Sequence, residues 1–463
     1  MKYTIAGAGI AGLAFAYEAA KRGHQVEVLE RAPFHGGLCR SFEKNDCILD
    51  IGVHLFHGRD PKVLELAREV VDSEKWVKVK RNGKLYVQGR HITWPLKMSS
   101  VFQMPLTLTT GILWDQLFGK AASAKSGRSD ESAGNYESEI LSIYGKNLYE
   151  KFFRPLTEKF FKIDTKDIHS DWAFSSIRSA TKIEDRNFKD NYKYLIEDTS
   201  EDSKKSFNIF RFAATNLANS FKEEEFYYFT EGYGTLADGY VEKIRNLGGK
   251  VLLNSNIEGI EIQDGAVSGV RVGGALMPTD NLVWTGDLSA LCKILQINPP
   301  GVMRLHSKFV YVFLRRCSKK HQVCYYADMN VGFVRGTILS NHYQGIVRNP
   351  DVQAVVCLEY TSTQPYPERE PEIAGQEHAD ILRDLASVDL IRSHDDVLDM
   401  YALTVPNTYP IFTTDYRMEM ERVKKELAQV ANLRLFGRQG AFTYENADVL
   451  IKEANEHPAF DNR

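Results

Sequence analysis

The residues best placed to do chemistry stand at the start of the chain, in Gly7-Ala8-Gly9-Ile10-Ala11-Gly12. The spacing is G-x-G-x-x-G. It suits a tight turn at Gly7, close approach of a pyrophosphate to the backbone at Gly9, and helix-on-strand packing at Gly12. An apolar strand precedes the glycines and an alanine-rich helical run follows them. The start of that helix, at Gly9, Ile10 and Ala11, would present free N–H groups and the positive end of its dipole to phosphate. Glu30 lies 18 residues after Gly12, at the end of a second strand. A carboxylate there can accept both ribose hydroxyls of an adenosine, and it would repel the 2′-phosphate of NADP.

The next segment separates NAD from FAD. Glu30-Arg31 runs into Gly36-Gly37-Leu38-Cys39-Arg40-Ser41, where an ordinary NAD dehydrogenase would have a helix. Two glycines followed by Arg and Ser suit a second pyrophosphate contact. This stretch resembles the GG motif of flavoproteins in the amine oxidase and protoporphyrinogen oxidase superfamily. Asp50-Ile51-Gly52-Val53-His54-Leu55-Phe56-His57 is similar to the D-x-G-x-H segment of that superfamily, and closer to the G-x-H-x-F-H of UDP-galactopyranose mutases. The resemblance implies FAD as cofactor, with Gly52, Val53 and His54 against the flavin ring; His57 is a weaker candidate.

The resemblance runs along most of the chain. Thr93-Trp94-Pro95-Leu96 looks like an aromatic-proline-leucine step of these proteins, and Tyr144 to Glu150 with Thr157-Glu158-Lys159 looks like their G-x-x-L-Y-E…T-E-K stretch. One departure follows at once. Where the family has an aromatic residue and then Gly, the start of the mutase lid, this chain has Phe161-Lys162, which removes a hinge and adds charge. Glu231-Gly232-Tyr233-Gly234-Thr235-Leu236 resembles the G-G-x-x-x-L turn, and 254–260 resembles the strand whose main chain, here at Ile257, holds the adenine edge. Thr285 and Gly286, at the end of another strand, join the cofactor set. Arg335 falls near the arginine that grips substrate diphosphate in the mutases, and its planar fork suits a carboxylate or phosphate. The ending, Tyr409-Pro410-Ile411, then Gly437-Arg438-Gln439-Gly440, then Tyr444-Glu445-Asn446-Ala447-Asp448, is similar to the family's Y-P…G-R-x-G…Y-x-N-x-D. It implies Gly437 and Gly440 close to the flavin diphosphate and ribityl chain. Arg438, Tyr444, Asn446 and Ala447 would lie near the flavin, with Asp448 capping a helix aimed at it. Ala447 and Val449 replace the usual Met and polar residue.

Three readings of the activity follow. One is an FAD-dependent oxidoreductase taking a hydride from a small molecule, with His54 as acid/base because histidine titrates near neutrality and Arg335 as the substrate anchor. A second is a redox-neutral ring mutase acting on a nucleotide sugar, favoured by Trp94-Pro95, Glu158, Arg335 and Tyr409. A third is a flavin-binding protein without catalysis.

The elements that must position these residues read as a mixed α/β chain: a Rossmann-type FAD-binding domain interleaved with an α+β substrate domain. Strands are expected at 2–6, 25–29, 77–86 (with an Asn82-Gly83 hairpin turn), 250–253, 267–272, 281–285, 309–314, 352–360 and 433–436. Helices are expected at 10–22, 63–71, 96–117, 138–161, 235–247 and 417–430, and polar loops at 121–135 and 182–205. The cofactor domain takes 1–90, 225–290 and 400–463; the substrate domain takes 91–224 and 291–399. With 463 residues and 43% hydrophobic composition, two cores are affordable. A net charge of −3 without a basic block argues against nucleic acid. The stretch 101–118 is too interrupted to span a bilayer. No signal-like start is visible, and six cysteines without a C-x-x-C pair read as reduced thiols, so a cytoplasmic protein with no metal is expected. The features are compatible with a homodimer.

Overall fold

The computed structural model describes residues 1–94, 100, 103–106, 108–111, 134–173, 225–367 and 372–460. Most of the helix expected at 96–117, most of the loop at 121–135 and all of that at 182–205 lie outside this set.

A five-stranded parallel sheet is braided from distant parts of the chain. Its order is Lys250–Leu252, Gln25–Leu29, Lys2–Ala6, Asn281–Trp284 and Leu433–Leu435. The central strands Lys2–Ala6, Gln25–Leu29 and Asn281–Trp284 are short runs buried over most of their length on both faces, as a parallel sheet covered by helices requires. The helix Ile10–Lys21 lies across them and is buried from Ile10 through Ala20. Its alanines explain how: small side chains let the helix Ala447–Asn455 and the helix Thr235–Asn246 pack close on either side. Tyr17 meets Tyr240 at 5.6 Å between ring centres, and Phe15 meets Phe436 at 5.9 Å. Where a charge enters this core it is paired: Glu18 is held by Arg22 and Asn455.

A second, seven-stranded mixed sheet runs Val397–Ile411, Met303–Leu314, Ala354–Ser362, Arg335–Ile338, Val323–Tyr326, Gly83–Val87, Arg90–Trp94. The last two strands and Val397–Ile411 extend the strands expected at 309–314 and 352–360. Val397–Ile411 shows no clean strand signal because Pro406 interrupts it. The structure places it at the sheet edge, where a missing N–H is tolerated, and puts Pro406 and Asn407 at an irregularity opposite His306. Asn407 takes a positive φ of 53° there.

The Asn82-Gly83 hairpin does not form. Trp76–Val79 pairs with Phe226–Phe229, whereas Gly83–Val87 pairs with Arg90–Trp94 and with Val323–Tyr326. Asn82 instead bonds to Gln322 and to the Lys320 carbonyl, carrying the chain from one sheet to the next. The true hairpin turn is Gln88-Gly89, both at positive φ. The helical insert Tyr136–Tyr144, Lys146–Leu148, Tyr149–Phe153 and Arg154–Phe161 matches the expected stretch, with one turn of π-helix at Tyr149–Phe153. It ends at Lys162, which sits at φ 60°. A residue normally replaced by glycine in this left-handed capping position keeps the conformation here at a steric cost. Among the described residues, no helix is long and apolar enough to cross a membrane.

His342 is 5% exposed and lies 5.2 Å from the Tyr228 ring, with neither ring nitrogen partnered among the described residues. Burial pushes its pKa down to about 3, and neighbouring His54 adds to the shift. The folded value lies below the unfolded one, so the unfolded chain takes up this proton first as pH falls. The stability contributed by the neutral ring is full above about pH 6.5 and is lost toward pH 3, at about 1.4 kcal/mol per unit. Thermal or guanidinium unfolding between about pH 7.5 and 5 is therefore expected to show falling stability, with a shallower slope in His342→Leu. Identical slopes in the two proteins would contradict it.

Candidate active site

Contacts that only glycine permits assemble the site. Gly7 turns at φ 103°, and its N–H bonds to the Leu29 carbonyl at 2.8 Å. A Cβ on Gly7 would lie 2.6 Å from Thr285 Oγ1; one on Gly12 would overlap the Gly7 carbonyl oxygen. Thr285 Oγ1 donates to the Ala6 carbonyl at 2.8 Å, fastening a neighbouring strand end to the turn. Gly286 follows it, beside the Trp284 ring. The second glycine pair lies on the first: Gly36 N–H bonds to the Ala8 carbonyl at 2.8 Å, and a Cβ on Gly37 would come within 3.3 Å of Gly9 Cα. The closing turn arrives from the far end of the sequence. A Cβ on Gly437 would stand 2.5 Å from Ala11 Cβ, and one on Gly440 would overlap the Trp284 carbonyl. The opening, Gly36-Gly37, Thr285-Gly286 and closing turns therefore form one junction.

Gly9 differs from its neighbours. No atom lies within 4 Å of a Cβ built there, and no side chain caps the helix that begins after it. Open space in front of uncapped N–H groups of Ile10, Ala11 and Gly12 is the cradle a pyrophosphate needs. Glu30 stands at the rim. Its two carboxylate oxygens accept from Ala8 N–H at 2.8 Å and Ala32 N–H at 2.9 Å, which fixes the group and leaves lone pairs for hydroxyl donors. Ser255 N–H bonds to the Glu30 carbonyl and Asn254 N–H to that of Ala32, so the segment leading to Ile257 lies along the same rim. Arg31 is exposed and Leu38 half-buried. Cys39 is buried, and burial pushes its thiol up to about 12, so it is no thiolate.

The other end of the cleft is organised by Asp50, which is fully buried. It accepts from Ser41 Oγ at 2.5 Å, from the Tyr228 hydroxyl and from Tyr233 N–H at 3.0 Å. Its own carbonyl accepts from Tyr311 at 2.9 Å. Burial pushes its carboxyl above the usual range, against these hydrogen bonds. Ser41 is thus committed to Asp50 and to Gly234 N–H (2.7 Å), not to a phosphate. Arg40 lies 3.8 Å over the Phe34 ring.

Gly52 follows at φ 81°, 3.6 Å (from its missing Cβ) from Arg335 Nη2 and 3.3 Å from the Phe309 ring; Val53 and His54 come next. His54 stacks on Tyr233 at 4.8 Å and shares a 2.9 Å hydrogen bond between Nε2 and the Ile51 carbonyl. Burial pushes its pKa down to about 4, against that hydrogen bond, with Arg335 and Arg438 adding positive charge. The expectation that His54 titrates near neutrality is corrected: the ring is uncharged at pH 7. His57 is drawn away into strand pairing against Phe226.

Arg335 is 9% exposed and ion-paired to Glu359, itself 1% exposed, and it donates to Tyr409 Oη at 2.8 Å. Burial, the largest influence, opposes its charge, but Glu359 together with Tyr409, Tyr325 and Tyr444 outweighs it and holds the guanidinium protonated. Ser307 and Thr408 extend the network from Glu359. Arg438 spans the Thr408 and Glu445 carbonyls and lies 4.7 Å over the Tyr444 ring. Asp448 does not cap the last helix: Asn446 is the N-cap residue and makes no side-chain cap bond, Ala447 opens the helix, and Asp448 lies within its first turn. Glu158 bonds to Arg154 along its own helix, and the Trp94 ring packs on Phe152. Glu359 and the anchoring role of Asp50 were missed in the sequence. The signal for Glu359 was a lone acid inside an apolar strand, which demands a buried partner.

Residues 5–70 match the model of the NAD(P)-binding Rossmann-like domain. The chain is 26% identical over 178 residues to a probable UDP-galactopyranose mutase from Klebsiella pneumoniae, covering 35% of the chain and 42% of the mutase. It is 35% identical over 71 residues to a zeta-carotene desaturase of Zea mays, covering 15% and 12%. These curated relatives are thus matched over less than half their length. Two solved structures align along nearly all of the chain. Reduced UDP-galactopyranose mutase gives a TM-score of 0.73 at 18% identity, covering 98% of this chain and 94% of that one. A putative protoporphyrinogen oxidase from Exiguobacterium sp. 255-15 gives 0.72 at 14%, covering 98% and 97%. The chain shares the fold of these two structures. That agrees with the resemblance carried by its motifs and with the α/β class read from its pattern.

The glycines of the cradle should therefore respond in opposite ways. Gly12→Ala is expected to cost about 3 kcal/mol through overpacking, read as a lower guanidinium midpoint. Gly9→Val should leave the midpoint of the ligand-free protein within about 0.5 kcal/mol and weaken dinucleotide binding. Equal effects on stability would mean that the open face at Gly9 is not a ligand cradle.

Proposed function

We propose that the protein is an FAD-dependent oxidoreductase that oxidises a small molecule. The proposal uses two interleaved units with the cofactor unit at 1–90, 225–290 and 400–463, and the substrate unit at 91–224 and 291–399, except that Gly83–Val87 and Val397–Ile411 lie in the mixed sheet and go with the substrate unit. Gly7, Gly9, Ile10, Ala11 and Gly12 would hold the pyrophosphate together with Gly37, Leu38 and Cys39. Glu30, with Arg31 beside it, would take the ribose, and the Ile257 main chain the adenine edge. Thr285, Gly286, Gly437, Arg438, Tyr444, Asn446, Ala447 and Asp448 would line the diphosphate-to-flavin stretch, with Gly52, Val53 and His54 at the ring. When bound, FAD supplies an acceptor for a hydride from a C–H bond.

The chain's own share is binding, orientation and exclusion of water. His54 presents an uncharged ring, clamped between Tyr233 and the Ile51 carbonyl, so it shapes the site without adding charge. The uncapped start of the helix Ala447–Asn455 offers N–H groups to negative charge. Arg335 is the substrate anchor, steered by Tyr409.

The observation that carries oxidoreductase over mutase is the Arg335–Glu359 pair. A diphosphate clamp needs an arginine free to pair with added negative charge; this one is already paired with Glu359 inside the sheet, which leaves it to anchor an uncharged polar group of a substrate by hydrogen bonding. The mutase reading keeps one support of its own, the sequence match to the Klebsiella protein. It requires Arg335 to leave Glu359 when substrate binds.

Anaerobic reduction of the purified protein, followed by admission of oxygen, tests this. Fast reoxidation, with no change of the reduced spectrum by UDP-sugars, is expected. Slow reoxidation with a UDP-sugar-dependent spectrum would transfer the assignment to the mutase, and a colourless protein would end both. Removing Arg335 alone strands Glu359 in the sheet at about 3–5 kcal/mol, so Arg335→Met is paired with Glu359→Leu. The double variant is expected to keep its flavin and lose substrate affinity at least about tenfold, which is about 1.4 kcal/mol. Flavin loss would place the pair on the cofactor side.

A further inference from the structure

On the edge of the mixed sheet, three soft donors from distant parts of the sequence come together. His91 lies in the edge strand Arg90–Trp94. His321 and Cys324 come from the entry to, and the body of, the strand Val323–Tyr326. One ligand atom from each of the three lies within 4.8 Å of the others. The two imidazole rings stand 5.6 Å apart, and the Tyr86 ring meets His91 edge-on at 4.9 Å. His321 is 5% exposed and Cys324 fully buried. Nε2 of both histidines is buried without a hydrogen-bond partner among the described residues. Two orphaned ring nitrogens beside one thiol are costly in a folded chain unless something is bound to them.

We propose that His91, His321 and Cys324 form a transition-metal site, with zinc as the ion the donor set favours. Two imidazoles and a thiolate are borderline-to-soft ligands that suit zinc and disfavour magnesium or calcium. Around a tetrahedral zinc the donors sit about 3.3–3.8 Å apart, given metal–ligand distances of about 2.0–2.3 Å. The present spread of up to 4.8 Å exceeds this by about 1 Å. The His321-x-x-Cys324 spacing supplies two ligands from one segment and the edge strand supplies the third, leaving a fourth position for water. On binding, the Cys324 S–H bond breaks, its proton leaves to solvent and a sulfur–metal bond forms, with no change of oxidation state. Burial pushes the free thiol up to about 12 and the rings of His91 and His321 down to about 4 and 3, so without metal the pocket holds a protonated thiol and two neutral imidazoles.

The site is separate from the proposed flavin chemistry. Alternation along the strand turns Tyr325 toward Arg335, 5.8 Å from its ring centre, and Cys324 to the opposite face. The ion would clamp the edge strand to Val323–Tyr326 through Gly83–Val87, which pairs with both.

The test uses the full chain without a polyhistidine tag. After chelator treatment and dialysis against Zn²⁺ alone, metal analysis is expected to find about one zinc per chain. Co²⁺ in its place should give intense tetrahedral visible bands and a thiolate-to-cobalt charge-transfer band. Cys324→Ser and His91→Ala should each weaken zinc binding at least about 100-fold; His91, only partly buried, is the variant safest for folding. Flavin content is followed as an independent check of the fold. Absence of stoichiometric zinc, cobalt binding without the sulfur band, or undiminished binding in the two variants would each overturn the site.

Discussion

The structure depends on a steric constraint: three stretches of chain must pass so closely that no side chain fits between them. Gly7, Gly12, Gly437 and Gly440 meet the Thr285 hydroxyl, the Gly7 carbonyl, the Ala11 methyl and the Trp284 carbonyl at distances that exclude a Cβ. This junction is what converts residues 430 positions apart into one cleft. Because the helix Ile10–Lys21 starts inside it, the junction also decides where its unpaired N–H groups point. Gly9 is the exception that gives the arrangement a purpose, since it is the glycine of the set that faces open space.

A second constraint ties the antiparallel pair Ser41–Lys44 and Cys47–Asp50, and the strand Phe226–Phe229, to the mixed sheet. Asp50 collects Ser41, Tyr228, the Tyr233 amide and, through its carbonyl, Tyr311 from the mixed sheet. It therefore fixes the Gly232-Tyr233-Gly234 turn relative to Gly52 and His54. The stacking of His54 on Tyr233 follows from that placement. Loss of the Asp50 network would not move the phosphate cradle; it would loosen the end of the cleft where the chemistry is proposed.

The legible part of the fold is the part encoded locally. Strands 2–6, 25–29 and 281–285 and the helix after Gly9 carry their own periodicity and punctuation, and they sit within a residue or two of expectation. What was not legible depends on partners far away in sequence. Asn82-Gly83 has the composition of a hairpin turn, but Gln322 and Lys320 claim Asn82 and separate the flanking strands. Val397–Ile411 contains Pro406, and only its edge position makes that acceptable. Asp448 looked like a cap until Asn446 took the position. His54 kept its place, but its titration depends on burial and on two arginines that the sequence cannot set beside it. The His91, His321 and Cys324 cluster is the extreme case: a scan for C-x-x-C spacing cannot see a third ligand some 230 residues away.

The buried charges argue that the cleft is kept for function. Replacing a buried ion pair by apolar residues of similar volume is often neutral or stabilising. Arg335 and Glu359 nonetheless lie side by side in the middle of a sheet, with Ser307 on Glu359 and Tyr409 on Arg335, while Arg335 Nε is left without a hydrogen-bond partner among the described residues. Lys159 is 3% exposed and held by the Tyr326 and Asp328 carbonyls, on the helix that brings Phe160 against Tyr409. An apolar network would hold these elements at least as firmly. What it could not do is aim a fixed guanidinium past Gly52 while leaving the neighbouring His54 uncharged. The polarity of this part of the sheet supports the proposed substrate contact, and Gly52 lets the guanidinium approach closely, since a Cβ there would lie 3.6 Å from Arg335 Nη2 and 3.3 Å from the Phe309 ring.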